Sequence, residues 1–399
     1  MNIIENKKKI AIIGKGTAGS ISAAHYTYYA NCEIEWYRDP LTSTQSVGEA
    51  STLTLPRLLK SALNTHYTEL NELHSTTKRG IRKLDWGING SKDFIHDFSI
   101  NSAGIHFDAV KLQNFIAKKL KNHIKIVESK SLSHSEIDAT YIIDCTGKPL
   151  DYTPFNISKS TPINSAYVVN CYWDYPKYEY SFHIARPYGW VFGIPLKNRI
   201  SIGYMYNSNI NNLDEIKEDI NNIFKKLNLT PSYDVTQWFF KNYYRKQNHT
   251  QRVTYNGNSS FFLEPLESTS TTFMDFINKN TLKLLSNEIT IEEANKSYLN
   301  EMEDIQRIIA LHYYSGSSFK TNFWEYAFEL SQNFLKDNIK NVKFKNLYNF
   351  CKKFSNSNAL TLPPDIMYGD EIGLWPTVSY IQNFEGLGLY NKIDKLLNT

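Results

Sequence analysis

The first apolar run of the chain, Lys9-Ile10-Ala11-Ile12-Ile13, is too short for a helix and rich in β-branched residues, so it predicts a strand that stops at Gly14. Residues 17–30 then read as a helix and residues 33–37 as a second strand, which completes a strand–helix–strand opening. Residues 51–63 predict a helix that buries Leu53, Leu55, Leu58 and Leu59. Residues 108–121 predict a stronger one, because Leu112, Phe115, Ile116 and Leu120 share one side while lysines cover the other. Strands are expected at 124–127 and 141–143, the latter running into Asp144-Cys145-Thr146-Gly147. From residue 165 to 206 the pattern changes to long, aromatic, alternating segments, which predict a separate antiparallel sheet. Residues 211–227 return to helix. Beyond Glu267 the chain is mostly helix, with breaks near Gly316 and at Pro363-Pro364.

There is no internal repeat and no low-complexity linker. The expected fold is α/β: a Rossmann-like nucleotide-binding part, an inserted antiparallel sheet on the substrate side, and a helical C-terminal part. The expected division is 1–150 for the nucleotide segments and an active-site lysine loop, 151–256 for the sheet, and 257–399 for a segment closing over the cofactor together with the helical region.

Composition narrows the classes. A length of 399 residues exceeds one simple core, and 27 Tyr with 22 Phe supply aromatic material for pockets as well as packing. The 44 basic and 40 acidic residues leave a net charge of +4, too small and too dispersed for a nucleic-acid binder. No apolar run approaches the roughly 20 residues that cross a bilayer, and the start lacks the apolar core of a signal peptide, so neither a membrane association nor export is expected. Cys32, Cys145, Cys171 and Cys351 are scattered without CxxC or Cys/His spacing, so no metal site and no disulfide framework is predicted, and a reducing cytoplasm is the expected compartment.

The glycine pattern carries the first chemistry. Gly14-Lys15-Gly16-Thr17-Ala18-Gly19 is a GxGxxG between a strand and a helix. Gly14 allows the tight turn, Gly16 lets the backbone approach a pyrophosphate, and Gly19 permits close packing of the helix, whose N-terminus offers free N–H groups and partial positive charge. At the end of the second strand Glu35 and Asp39 flank Arg38, and which of them meets a ribose is left open. Pro265-Leu266-Glu267-Ser268-Thr269 sets one carboxylate beside a predicted helix start.

With these segments in view, the chain resembles the flavin-dependent halogenases of the tryptophan halogenase family along most of its length. Gly14 to Gly19 fits their GxGxAG, and Val47-Gly48-Glu49-Ala50-Ser51 resembles the segment that lies against their flavin. Thr77-Lys78-Arg79-Gly80-Ile81, ending at Trp86, is similar to the segment carrying their active-site lysine. His106-Phe107-Asp108-Ala109, Asp144 to Gly147, and His312-Tyr313 with Phe323-Trp324 match further family segments. Gly189-Trp190-Val191-Phe192-Gly193-Ile194-Pro195-Leu196 stands where the family has WxWxIP, and Pro265 to Thr269 is their PLEST. The resemblance implies FAD, used as FADH2 from a separate NAD(P)H-dependent reductase, with oxygen and chloride or bromide as co-substrates and hypohalous acid as the product that reaches an electron-rich aromatic. Chlorination or bromination in secondary metabolism is the setting it suggests, with the protein a monomer or homodimer.

Residue by residue, the resemblance gives Lys78 and Glu267 the catalytic roles. Gly14, Gly16, Thr17, Ala18, Gly19, Val47, Gly48, Glu49 and Ala50 are expected at the cofactor. Thr269 and Ser270 are expected at the halide. Trp190, Phe192, Ile194 and Pro195 are expected as a wall between flavin and substrate. A buried Lys78 amine either forms a haloamine or, if protonated, hydrogen-bonds hypohalous acid, and Glu267 stabilises the cationic ring intermediate or takes its proton. Lys83 and Lys92 serve as ordinary lysines for contrast, and His106, His183, His312 and Glu264 are expected to be structural. The spatial expectation is that Glu267 and Lys78 face one cavity, with the flavin beyond Trp190.

Three departures stand out: Phe192 replaces the second Trp, Ser270 replaces the Gly after the PLEST segment, and the connection from Lys78 to His106 is short. The last argues against free tryptophan and for a bulkier indole, pyrrole or phenol, small or linked to a peptide or carrier. Two other readings stay open at this point, a flavin-dependent aromatic hydroxylase, which the Phe192 departure suggests, and a non-catalytic flavin-binding member of the family.

Overall fold

In the computed structural model, residues 8–43, 49–87, 93–98, 102–130, 132–338, 340–355, 362–363 and 371–398 are described. The opening apolar run forms β1 (Lys9–Ile13), and the glycine turn leads into α1 (Thr17–Tyr29) and β2 (Glu33–Arg38). Two short strands and a helix follow as β3 (Glu49–Ala50), α2 (Thr54–Leu63) and β4 (Thr76–Lys78); then come β5 (Gly80–Leu84), β6 (Phe94–Asp97) and β7 (Gly104–Phe107). The lysine-faced helix is α3 (Ala109–Leu120), capped by the Asp108 carboxylate, which accepts from the Lys111 N–H at 3.1 Å. β8 (Lys125–Glu128) and β9 (Tyr141–Asp144) complete the N-terminal part.

β10 (Phe155–Ile157) precedes four long strands, β11 (Ser165–Tyr172), β12 (Tyr180–Arg186), β13 (Gly189–Pro195) and β14 (Arg199–Tyr206). α4 (Leu213–Lys226), β15 (Pro231–Phe239), β16 (Tyr243–Arg245), β17 (Val253–Tyr255) and β18 (Phe261–Phe262) lead to the helical region of α5 (Ser270–Leu285), α6 (Ile291–Ser315), α7 (Asn322–Asn338) and α8 (Val342–Lys353). A hairpin, β19 (Glu371–Ile372) and β20 (Trp375–Pro376), precedes α9 (Thr377–Gly386) and α10 (Tyr390–Leu397).

β1, β2, β8, β9 and β17 make a five-stranded, wholly parallel sheet in the order β17-β9-β1-β2-β8, with β1 at its centre. This is the Rossmann-like nucleotide lobe, but one of its strands, β17, comes from beyond residue 250. The chain therefore leaves the lobe after β9, builds the second sheet and returns.

The second sheet has seven strands in the order β15-β11-β14-β13-β12-β5-β6. The expectation of a self-contained antiparallel sheet is corrected here. β5 pairs parallel with β12, bringing Lys83 opposite His183, so the lysine segment from the N-terminal part is a member of this sheet. Every residue of β14 is buried, and α4 packs on the side that carries Ile200, Ile202, Tyr204 and Tyr206. Among the described residues no helix is long and apolar enough to cross a membrane.

Candidate active site

At the end of β1 the turn demands glycine. Gly14 sits at φ +115°, and a Cβ there would lie 2.2 Å from the Cys145 carbonyl oxygen. Its own carbonyl accepts from Trp36 Nε1 at 2.8 Å, which locks the turn against β2. Gly16 differs, since a Cβ there would meet nothing within 4 Å. The space it faces is a cavity of about 670 Å³, lined at this end by residues 14–18 and by Cys145, Thr146 and Gly147. Size and lining fit a nucleotide cofactor with its pyrophosphate over the α1 N-terminus, and Gly16 and Gly147 are bare where a side chain would intrude.

Glu49 and Ala50 line the same cavity, as do Thr17 and Ala18. Burial, with Asp108 nearby, pushes the Glu49 carboxyl up to about 7. Gly19 does not reach the cavity; it packs beneath Gly14, where a Cβ would lie 1.9 Å from the Gly14 carbonyl oxygen. Val47 and Gly48 lie outside the described residues.

The open question about the ribose narrows. Glu35 is turned away and buried, and it accepts from Tyr37 Oη (2.5 Å) and Lys125 Nζ (2.7 Å) with Lys9 Nζ at 3.1 Å. Burial alone would raise it, but Lys125, Tyr37 and Lys9 bring it to about 2. Asp39 lines the cavity instead, its oxygens held by the Leu41 N–H (2.9 Å) and the Thr42 hydroxyl (3.0 Å).

These two glycines separate fold from binding. Gly14→Ala is expected to destabilise the chain by more than about 1 kcal/mol, because its φ and the Cys145 carbonyl both oppose a side chain. Gly16→Val is expected to leave urea unfolding close to wild type yet weaken FAD binding at least about tenfold, as read by flavin fluorescence quenching.

At the inner end of the cavity the walls change character. Phe192, Ile194, His183, Ser268 and Ser270 face it, but Trp190, Pro195 and Thr269 do not. Trp190 is fully buried behind Phe192, and its Nε1 donates to Tyr313 Oη at 2.9 Å, which in turn donates to Glu264 at 2.7 Å. The wall is thus two residues deep, with Phe192 on the cavity side. Burial, opposed by Tyr313 and Lys83, pushes the Glu264 carboxyl up to about 8, so it is a largely neutral acid at pH 7.

The Pro265–Ser268 turn closes with the Ser268 N–H donating to the Pro265 carbonyl at 3.1 Å, and it carries Ser268 at φ +53°. That turn aims Glu267 inward, away from the cavity. Lys83 Nζ donates to Glu267 Oε1 at 2.6 Å and to the Leu266 carbonyl at 3.0 Å. His96 Nδ1 donates to Oε2 at 2.8 Å. His312 Nε2 stands 2.8 Å from Oε1, poorly aligned for a hydrogen bond, while its Nδ1 donates to the Ile308 carbonyl. Burial would raise the Glu267 carboxyl, but Lys83, His96 and His312 outweigh it and hold it well below the usual carboxylate range.

Lys78 ends β4 in the same interior. Its amine is fully buried, has no hydrogen-bond partner among the described residues, and lies 4.9 Å from the centre of the Phe98 ring. Burial, with Lys83 repelling and Glu267 attracting, brings it down to about 7. The approach of β6 that seats this interior depends on Gly80, where a Cβ would lie 2.2 Å from the His96 carbonyl oxygen.

Lys78 and Glu267 were expected to face one cavity with the flavin beyond Trp190, and they share one interior apart from the large cavity. Neither lines the large cavity; both sit in a packed cluster with Trp86, Trp190, His96, Phe98 and Trp375 around them. His183 joins the two regions, since it faces the cavity and its Nδ1 is 3.5 Å from Lys83 Nζ.

Lys83, taken as an ordinary lysine, is the direct partner of Glu267, and His312 belongs to the cluster rather than to the structural background. His106 does behave structurally. The Thr76 hydroxyl donates to the Pro195 carbonyl (2.6 Å), so His106 Nδ1 must donate to Thr76 (2.8 Å) and Nε2 must accept from Ser181 (3.0 Å). Lys92 lies outside the described residues. Sequence reasoning missed Lys83 and His96 although strand parity held the signal. Ile81 and Lys83 share a face of β5, and Phe94, His96 and Phe98 share a face of β6 and its continuation.

A family model described as tryptophan halogenase matches residues 9–128 and 117–398. Among solved structures, the chain is similar to a tryptophan halogenase from Shewanella frigidimarina NCIMB 400, at 17% identity and TM-score 0.77, covering 99% of this chain and 93% of that one. It is also similar to BrvH, a flavin-dependent halogenase from Brevundimonas sp. BAL3, at 20% identity and TM-score 0.74, covering 98% and 93%. MibH, a lanthipeptide tryptophan 5-halogenase, matches at 16% identity and TM-score 0.77, covering 98% and 87%. Identities this low speak for a shared fold.

Proposed function

From the premise that the chain belongs to the tryptophan halogenase family, and is an FADH2-dependent halogenase, we propose that Lys78 receives hypohalous acid as a free amine and passes the halogen to an electron-rich aromatic. Reduced FAD, bound in the large cavity and supplied by a separate reductase, contributes the electrons with which oxygen and halide become hypohalous acid. The observation that carries the reading is the Lys78 amine itself, buried, without a hydrogen-bond partner among the described residues, and brought to about 7 by burial. A protonated lysine in that place would be an uncompensated buried charge, whereas a neutral amine is nucleophilic.

The transfer balances without further reagents. The nitrogen lone pair forms an N–X bond as the O–X bond breaks, and the departing hydroxide leaves as water with one amine proton. The aromatic carbon then takes X⁺, the amine recovers a proton, and the cationic ring loses its own. The packed aromatic and histidine cluster excludes bulk water, which would otherwise consume the oxidant. Glu267, held ionised by three neighbouring nitrogens, is a weak base and acts as a fixed negative charge beside the cationic ring.

The substrate is proposed to be an indole, pyrrole or phenol larger than free tryptophan, and the peptide-acting neighbour MibH makes a peptide-linked indole a concrete candidate. The direct test supplies FAD, a flavin reductase, NADH and bromide to a panel of aromatics and peptides and looks by mass spectrometry for the bromine isotope pair. Hydroxylated product formed without halide would replace this reading with a monooxygenase.

The halide is proposed to rest at the α5 N-terminus, where Ser270 faces the cavity and first-turn N–H groups are not used within the helix. Ser270 in place of glycine weakens that site, which favours the more easily oxidised ion. In competition at equal concentration, brominated product is expected to exceed chlorinated product, and Ser270→Gly is expected to shift the ratio toward chloride. An unchanged ratio would remove Ser270 from the halide site.

A further inference from the structure

Among the described residues the cluster holds two buried lysines and, beside the largely neutral Glu264, a single ionised carboxylate, and its geometry decides which lysine owns it. Lys83 Nζ is 2.6 Å from Glu267 Oε1, and the pair is wholly sealed. Lys78, equally buried, makes no hydrogen bond to it. We propose that Lys83 is a positioning residue: by claiming the Glu267 carboxylate in a closed ion pair it leaves Lys78 without a counter-ion, so that Lys78 works as an amine rather than an ammonium. This inference rests on the proposal that the Lys78 amine carries the halogen.

The physical reason is charge balance in a dry interior. An isolated ammonium taken out of water costs many kcal/mol unless a counter-charge accompanies it, so the group that lacks one gives up its proton. Among the described residues, the groups facing Lys78 offer no other counter-charge. From β5 comes Lys83, which repels; from β7 comes His106, held as a neutral ring by Thr76 and Ser181. From β12 comes His183, which burial and then Lys83 keep well below its ordinary value, and from the turn before α5 comes Glu267. Glu264 couples to Lys83 and is raised to about 8 by burial, so it adds little negative charge at neutral pH. His96 and His312 are engaged with Glu267.

The main chain also commits Lys83 to this place. Its Nζ donates to the Leu266 carbonyl at 3.0 Å and approaches His183 Nδ1 at 3.5 Å. The neighbouring Arg82 points the other way, toward solvent and Asp93. Exchanging the roles of the two lysines would require breaking all of these contacts.

The experiment follows the protonation of Lys78 directly. The full chain without flavin is labelled with ¹³C at lysine Cε, and the signal lost in Lys78→Met is titrated by NMR. In the wild-type chain it is expected to titrate near neutral pH. With the charge removed in Lys83→Met, Glu267 becomes available to Lys78, and the midpoint is expected to rise by about one unit or more, at least about a fivefold fall in free amine at pH 7. Lys83→Gln, which keeps a hydrogen-bond donor, gives the same reading if the Met variant does not fold. Lys83→Arg restores the charge and is expected to bring the midpoint back to within about half a unit.

An unchanged midpoint in both neutral variants overturns the proposal. So does a wild-type Lys78 that stays protonated beyond about pH 9, a result that needs no Lys83 variant. The outcome is separable from that of the function. A shifting midpoint in a chain that halogenates nothing leaves the electrostatic role standing without its use. Halogenation that depends on Lys78 but shows no shift in the neutral variants removes only the role of Lys83.

Discussion

Lys78→Ala is expected to lower halogenation by at least about a hundredfold while FAD binds as in the wild-type chain. The size follows from what is lost: the group proposed to carry the halogen, in an interior with no other unclaimed amine among the described residues. The sparing of FAD follows from geometry, since Lys78 does not line the cofactor cavity. The same assignment fixes the pH behaviour. The active form is the neutral amine and Lys78 is brought to about 7, so the rate should rise with pH through about 7 and level off above it. A steady-state pH profile of brominated product checks the sign. A rate that falls through that range would mean that the ammonium is the working form, with hypohalous acid merely hydrogen-bonded to it.

Glu267→Gln should act on both stability and activity. Removing one member of a buried ion pair leaves Lys83 uncompensated and strips His96 of its hydrogen-bond partner, for a loss of about 3 kcal/mol in urea unfolding at pH 7. Replacing both members by apolar groups, Lys83→Met with Glu267→Leu, should recover most of that loss, because the desolvation of both charges disappears together. Activity should not recover, because the cationic ring then has no fixed negative charge beside it. The linkage has a definite direction. The Glu267 carboxyl is well below its ordinary 4.5 in the folded chain, so its contribution is complete above that value and fades as pH falls toward the folded one. The gap between wild type and Glu267→Gln should therefore narrow in acid, as comparative unfolding curves at pH 7 and pH 4 would reveal. A constant gap would mean that the carboxylate contributes shape and hydrogen bonding but not charge.

How legible the site was depended on the kind of signal. The glycine turn could be read directly, because Gly14 and Gly19 are required by backbone approaches of about 2 Å that no side chain survives. Glu267 was found from the local context of its turn. Lys83 was not, because Arg82-Lys83 reads as a basic surface pair, and only pairing of β5 with both β6 and β12 makes one of its faces an interior. His96 was hidden for the same reason. The separation of Lys78 from the cofactor cavity was expected only through the family resemblance, as a wall at Trp190 and Phe192; how that wall is built depends on the tilted packing of the two rings and on the bond from Trp190 to Tyr313 of α6.

By itself, then, the sequence determined what is local: strand and helix periods, the glycine cradle, the capping of α3, and two segments whose residue types match a known chemistry. These depend on interactions within a few residues, where spacing is geometry. The tertiary structure decided which lysine pairs with the carboxylate, which acidic residue reaches the cofactor cavity, and that the lysine strand joins the second sheet. Those outcomes turn on burial, and burial is set by segments far apart in the chain. A lysine in water and a lysine sealed beside a carboxylate are the same letter until the strands around them are paired.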